Sequence, residues 1–249
     1  MKLIEILDNV SCPEEAVAGI DFGTTNSVIA VAYQKHIHIV PLKVNNISSP
    51  LLASSWCGVQ SLKRFMGKKK DEILRQELDD LCLSIDENND DLLFEVNGES
   101  YSLIELISKI LSFLIDSAEE FIGAKITRAV LTTPAHFNNY AKSQLIKAAK
   151  MSNIDVLRLI AEPTAAAYAL CDLNANANYL VYDLGGGTFD VSIVETGGSV
   201  CRVLATGGHN MLGGDDIDVK LLNYLQNKYL NLLTLSNNRD IKYNFECKN

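Results

Sequence analysis

Residues 179–194, YLVYDLGGGTFDVSIV, constrain what this chain can fold into more than any other stretch. Leu180, Val181 and Tyr182 open a β-branched and aromatic run that Asp183 closes. Gly185-Gly186-Gly187-Thr188 then makes a turn, and residues 189–194 return as a second strand. A three-glycine turn lets backbone N–H groups converge on a point that no side chain obstructs, which is what an anion such as a phosphate needs. Alone, the stretch reads equally well as an ordinary hairpin with a permissive turn. The pattern, however, occurs twice. Residues 18–31 read AGIDFGTTNSVIAV, and Ile20-Asp21-Phe22-Gly23 aligns on Tyr182-Asp183-Leu184-Gly185, each followed by Thr and an alternating apolar strand. This weak internal repeat predicts two related lobes. Two Asp-ended hairpins facing each other can hold a phosphate chain and a hydrated divalent cation between them. Mg2+ suits that role, because it keeps several waters and takes few carboxylates.

The 249 residues allow one or two domains with a substantial core, and 47% apolar with 21% charged residues is a soluble globular composition. A net charge of −9 and the lack of a Lys/Arg stripe argue against nucleic acid as a partner. Lys68-Lys69-Lys70 reads as a solvated helix start. The six cysteines (12, 57, 82, 171, 201 and 247) form no C-x-x-C pair, so neither a zinc site nor a disulfide framework is expected, only reduced thiols in a cytoplasmic protein. Glu5, Asp8, Glu14 and Glu15 exclude a secretory signal from the first 16 residues, which are expected to be a lead-in segment. No apolar run approaches a membrane span.

Along the chain, strands are expected at about 17–22, 27–33 and 36–41, with His36 and His38 on one exposed edge face. Residues 42–60 read as irregular, and the apolar spacing of 71–85 predicts a helix. Asn97-Gly98 marks a hairpin, and Ser102-Leu103-Ile104-Glu105 is a capping box opening a helix with a core stripe of Leu103, Leu106, Ile107, Ile110, Leu111 and Leu114. A strand at 129–133 leads to a helix capped by Asn138 or Asn139 and running to about Met151. A short buried strand at 156–160 and a helix starting at Glu162-Pro163 complete a strand–helix alternation that requires an α/β lobe. Residues 174–178 read as a polar loop, 200–205 as a strand, and a helix follows Gly213-Gly214, with Asp215 and Asp216 suited to its N-terminus.

Taken together, GIDFGTTNS (19–27), SLKRFMG (61–67), TTPAHFN (132–138), LIAEPTAAAYA (159–169), VYDLGGGTFDVSIV (181–194) and LGGDDID (212–218) resemble the Hsp70 chaperones of the actin and sugar-kinase superfamily. The wording is most like the HscA branch, which serves iron–sulfur cluster assembly. A sugar kinase matches less well, because GTTNS with EPTAAA and DLGGGTFD is a chaperone combination. The resemblance implies an α/β, actin-like (ribonuclease H-like) ATPase domain of two lobes with the second incomplete. Lobe I would cover 17–173, with a small inserted subdomain at about 42–125; a partial lobe II would cover 174–235, and 236–249 would be an irregular tail.

The same resemblance implies an ATPase that binds ATP or ADP with Mg2+ and couples hydrolysis to protein folding or iron–sulfur cluster assembly. It assigns Asp21, Gly23, Thr24, Thr25 and Asn26 to the first phosphate loop and Gly185, Gly186, Gly187 and Thr188 to the second, with Gly213 and Gly214 alongside. Asp21, Asp183 and Asp190 would organise the Mg2+ shell, largely through water. Lys63 would reach the γ-phosphate, and Glu162, Thr188, Asp183 and Asp190 would serve the attacking water. A J-domain co-chaperone and a nucleotide exchange factor are the implied partners; an iron–sulfur scaffold would be a client only if a substrate domain is supplied elsewhere.

Three departures stand beside this. Lys142 occupies a place the family usually gives to Arg, which with Pro134 and Glu162 relays nucleotide state; Lys keeps the charge but loses bidentate geometry. His209 stands where Asp is usual. Residues 42–60 are shorter than the family's, and neither its adenosine loop nor its peptide-binding sandwich follows Leu230. Weak ATP binding and exposed apolar surface are therefore expected of the free chain. The alternative is a catalytically impaired remnant that acts only as a co-chaperone interaction module.

Overall fold

The computed structural model of the chain describes residues 15–44, 47–53, 59, 61–68, 72, 83–85, 92–209 and 211–233. The first repeat opens an antiparallel meander of β1 (Val17–Asp21), β2 (Asn26–Tyr33) and β3 (His36–Ile39). Alternation puts Ser27, Ile29 and Val31 of β2 on the buried face, as period-2 patterning demands. His36 and His38 lie on the edge strand with ring centroids 6.0 Å apart, and His38 meets Phe121 edge-on. Among the described residues no third ligand joins them.

Residues 42–60 are less irregular than expected. β4 (Leu42–Val44) pairs with β5 (Ile47–Ser49), and β6 (Leu52–Ala53) adds to β2. Leu42 and Leu52 are buried, and these apolar anchors are enough to fix short strands. The helix expected over 71–85 needs correction at its end. Residues 73–82 lie outside those described, but Leu83–Ile85 is a strand, β7, antiparallel to β8 (Leu92–Val96). Leu83-Ser84-Ile85 fits either period, and a partner strand across from it decides in favour of pairing. β8 turns into β9 (Glu99–Ser102) through Asn97 at φ 54° and Gly98 at φ 82°, the two positive angles of a primed hairpin turn.

Helix α1 (Leu103–Ile122) starts at the expected capping box: Ser102 Oγ accepts the Glu105 N–H at 3.3 Å, and the Glu105 carboxylate accepts the Ser102 N–H at 2.7 Å. Its whole expected stripe is buried in the core. Leu111→Ala should therefore cost about 2–5 kcal/mol, read as a lowered urea midpoint at unchanged slope. A loss below 1 kcal/mol, on the order of a surface change, would place α1 outside the core.

β10 (Arg128–Thr133), α2 (Asn139–Met151) and β11 (Asp155–Ala161) form a parallel crossover. Asn138 is the cap, its Oδ1 accepting the Ala141 N–H at 2.8 Å. The resulting sheet runs β11-β10-β1-β2-β3, with β1, β10 and β11 parallel. β11 was expected to be buried; it is the sheet's edge, and Leu157 is 48% exposed. An apolar run reports propensity, and its place in the sheet order decides its burial.

Helix α3 (Glu162–Leu170) follows β11 directly and packs against β10 and β11 on one side and a second sheet on the other. That sheet is the antiparallel β12 (Ala177–Leu184), β13 (Phe189–Gly197) and β14 (Val200–His209). β12 takes in the end of the expected 174–178 loop, and β14 outruns the expected 200–205 by pairing with β13 to His209. On β12, Leu180 and Tyr182 are 69% and 64% exposed. Helix α4 (Gly214–Leu233) follows, with Asp215 and Asp216 in its first turn.

Of the cysteines, Cys171 and Cys201 are free thiols; Cys12, Cys57, Cys82 and Cys247 lie outside the described residues. Lys68 is not simply solvated: its amine sits over the Phe65 ring and 3.6 Å from the Met211 sulfur. Among the described residues no helix is long and apolar enough to cross a membrane.

Candidate functional site

Where the two sheets meet, the two repeats bring their turns into contact. The Gly185 N–H donates to Thr188 O at 3.0 Å and closes the second turn. A Cβ on Gly186 would stand 1.7 Å from Thr25 Oγ1, and one on Gly187 would stand 2.2 Å from Thr24 Cγ2. These positions accept only glycine because the first turn fills the space.

The carbonyls of the second turn are all engaged. Gly185 O accepts the Gly214 N–H at 3.0 Å, Gly186 O accepts the Asp215 N–H at 2.9 Å, and Gly187 O accepts Arg64 Nε at 3.1 Å. A Cβ on Gly213 would meet Gly186 O at 2.3 Å, so the start of α4 docks on this turn only as glycine. Among the described residues, no protein acceptor takes the N–H groups of Gly186 and Gly187. Thr24 Oγ1 is buried and likewise has no partner among them. Polar donors left over in a cradle that a Cβ would fill suit an anion.

The acids stand behind the turns. Asp21, at the end of β1, accepts the Thr132 hydroxyl at 2.6 Å. Asp183 faces Asp190 across the β12–β13 ladder. Burial raises the Asp183 carboxyl above its usual range, the Asp190 and Asp21 charges push the same way, and Lys63 opposes them. Asp190 is 2% exposed and shares a 2.8 Å hydrogen bond with His136 Nδ1. Lys63, on a single 3-10 turn (Leu62–Phe65), pairs with Glu162 at the start of α3, Nζ to Oε1 at 2.6 Å. Burial raises Glu162 as well, outweighing the attraction of Lys63, with Asp21 and Asp183 adding to the rise. These acids and one lysine thus share one field with surplus negative charge. Among the described residues no three acidic, His or Cys groups come close enough to hold a bare ion. A hydrated Mg2+, bound through its waters, is what this donor set fits.

The structure thus brings Asp21, Asp183, Asp190, Lys63 and Glu162 together beside the two contacting turns, and it adds others. Arg64 forks onto Asp216, Nη2 to Oδ2 at 2.5 Å and Nη1 to Oδ1 at 3.2 Å, while its Nε holds Gly187 O. Ser61 Oγ donates to Asp215 at 3.3 Å, and the Gly213 N–H donates to Asp216 at 2.8 Å. Arg64, Thr132 and His136 lie inside the motifs already quoted, but nothing in one sequence ties them to Gly187, Asp21 and Asp190. Of the departures, Lys142 is half-buried on α2, and His209 Nδ1 accepts the Met211 N–H at 3.1 Å.

The fold and site define an α/β protein in which two facing turns, the second of them glycine-rich, stand over a cluster of carboxylates. The family model described as Hsp70 protein matches residues 51–244. The Chaperone protein HscA homolog of Rickettsia typhi is 40% identical over 245 residues, covering 92% of this chain and 42% of that protein. The Chaperone protein HscA homolog of Rickettsia prowazekii is 42% identical over 245 residues, covering 92% and 41% respectively. The chain belongs to the Hsp70 family, on its HscA branch. It spans about two-fifths of the length of the curated relatives it matches.

Proposed function

We propose that the chain is the nucleotide-binding part of an HscA-type chaperone and that it binds and hydrolyses Mg-ATP. The carrying observation is the second glycine turn, whose carbonyls are all tied outward while the N–H groups of Gly186 and Gly187 lack an acceptor among the described residues. In this reading residues 17–173 and 174–235 are the two lobes of an actin-like domain, the second incomplete, with an inserted subdomain at about 42–125.

Gly23, Thr24, Thr25 and Asn26 on one side, and Gly185 to Thr188 on the other, hold phosphate oxygens. Gly213 and Gly214 keep the second turn in place from behind. Asp21, Asp183 and Asp190 bind the water shell of the cation, which when bound neutralises phosphate charge. Lys63 offers a cation that its pairing with Glu162 holds in position, and Glu162 and Thr188 orient water. A J-domain co-chaperone and an exchange factor are the fitting partners. Protein folding or iron–sulfur cluster assembly in the cytoplasm is the fitting role, with a client such as an iron–sulfur scaffold once a substrate domain is supplied.

Calorimetric titration with Mg-ATP tests this, with Asp183→Ala as control. Micromolar binding that the substitution weakens at least about tenfold supports the reading. A folded wild-type chain that ignores millimolar Mg-ATP would leave the motifs as inherited scaffold. That result would favour the impaired remnant acting as a co-chaperone interaction module, the reading to which Lys142 points.

A further inference from the structure

One short segment at the end of β10 reaches the acids of both repeats. Thr132 donates to Asp21 at 2.6 Å, His136 bonds Asp190 at 2.8 Å, and Asn138 Nδ2 donates to Gly67 O at 3.1 Å, just past the turn that carries Lys63. Its central member is a histidine that the phosphate-loop reading does not use. A carboxylate can only accept, so His136 Nδ1 carries the hydrogen in this bond. In the neutral ring Nε2 is then a bare lone pair. It is buried and has no partner among the described residues. An imidazole nitrogen in that state needs a donor, which phosphate and carboxylate oxygens are not, whereas a water or hydroxyl is.

We propose that His136 is a positioning residue of this site: from Nδ1 it fixes the Asp190 carboxylate, and at Nε2 it takes the hydrogen bond of a water or hydroxyl held there. The proposal rests on the Mg-ATP reading for what the site does, but the His136–Asp190 bond stands on geometry alone. Asp190, 2% exposed, has the Asp183 carboxylate opposite it in the hairpin ladder. A fixed orientation of its oxygens decides how it meets a shared water shell. A purely structural strut would need the Nδ1 bond only, and its Nε2 would be indifferent to ligand.

The test uses the full chain and long-range proton–nitrogen spectra of its four histidines, with the His136 signals identified by their loss in His136→Asn. The free protein should show His136 in the Nδ1–H tautomer, Asp190→Ala should abolish that preference, and Mg-ADP should move the Nε2 resonance. In single-turnover hydrolysis, His136→Phe should slow the chemical step roughly 10- to 100-fold with little change in Mg-ATP affinity. His136→Asn, whose amide nitrogen can replace Nδ1 but not Nε2, should recover part of that loss. An Nε2–H tautomer at His136, an Nε2 resonance indifferent to Mg-ADP in a chain that binds it, or wild-type hydrolysis by His136→Phe overturns the proposal. A wild-type chain that binds no nucleotide sinks the Mg-ATP reading and the Nε2 half with it, while the tautomer in the free protein still decides the Asp190 half.

Discussion

Replacing Lys63 by Met should destabilise the chain by about 3–5 kcal/mol at neutral pH, because it leaves the Glu162 carboxylate buried without its cation. The pair is close to dry, with side-chain exposures of 3% and 12%. Its geometry is a single 2.6 Å contact, so the loss is mainly the desolvation of an unmatched charge. The double variant Lys63→Met, Glu162→Gln should regain most of the stability, since neither buried charge then remains. The pH dependence has a definite sign. Burial already raises Glu162 above its ordinary 4.5. An acid raised in the folded state binds more protons folded than unfolded, so its ionisation weakens the fold as pH rises from about that value through the raised one. Without Lys63 the rise is larger, and the penalty of Lys63→Met should shrink on acidification. Urea titrations across that range decide it: equal losses at every pH, or no recovery in the double variant, would show that the pair does not form.

The second large effect is expected at Gly186. Gly186→Ala places a methyl 1.7 Å from Thr25 Oγ1 and 3.0 Å from its Cβ, so the Thr25 side chain must turn and the two turns must part slightly. Overpacking of this kind costs about 1–3 kcal/mol, and parting the two turns should weaken Mg-ATP binding more than it weakens the fold. Thr25→Ala removes the obstructing hydroxyl and leaves the residue-25 Cβ at 3.0 Å and Asp215 Oδ1 at 3.4 Å, so the pair should be coupled, the double variant being better than the sum of the singles. Gly98→Ala is the control: nothing lies within 4 Å of its Cβ, and only its φ of 82° resists the change. Additive behaviour of Gly186→Ala and Thr25→Ala would falsify the contact between the two turns.

Local grammar carried much of the fold. The capping box at Ser102, the hairpin turn at Asn97-Gly98, an asparagine cap at 138 or 139 and the core stripe of α1 were legible because each involves residues within a few positions of one another. The sequence misread residues where two periods fit equally. Leu83–Ile85 became a strand because β8 lies across from it, and β11 was exposed because it ended the sheet. Neither partner nor position in a sheet is written in a run of apolar residues.

The site divides in the same way. The glycine turns and their Asp residues were legible as an internal repeat, while Lys63 and Glu162 were singled out by the resemblance of their motifs to the Hsp70 chaperones. Only tertiary structure joined Arg64 to Gly187 and Asp216, Thr132 to Asp21, and His136 to Asp190. Hydrogen bonds form between residues that folding brings within about 3 Å, however far apart they lie in the chain. Sequence thus determined which groups this protein offers to the phosphate and hydrated cation proposed for it. Tertiary structure decided which of them are buried, which are paired, and which donors and acceptors are left over for a ligand.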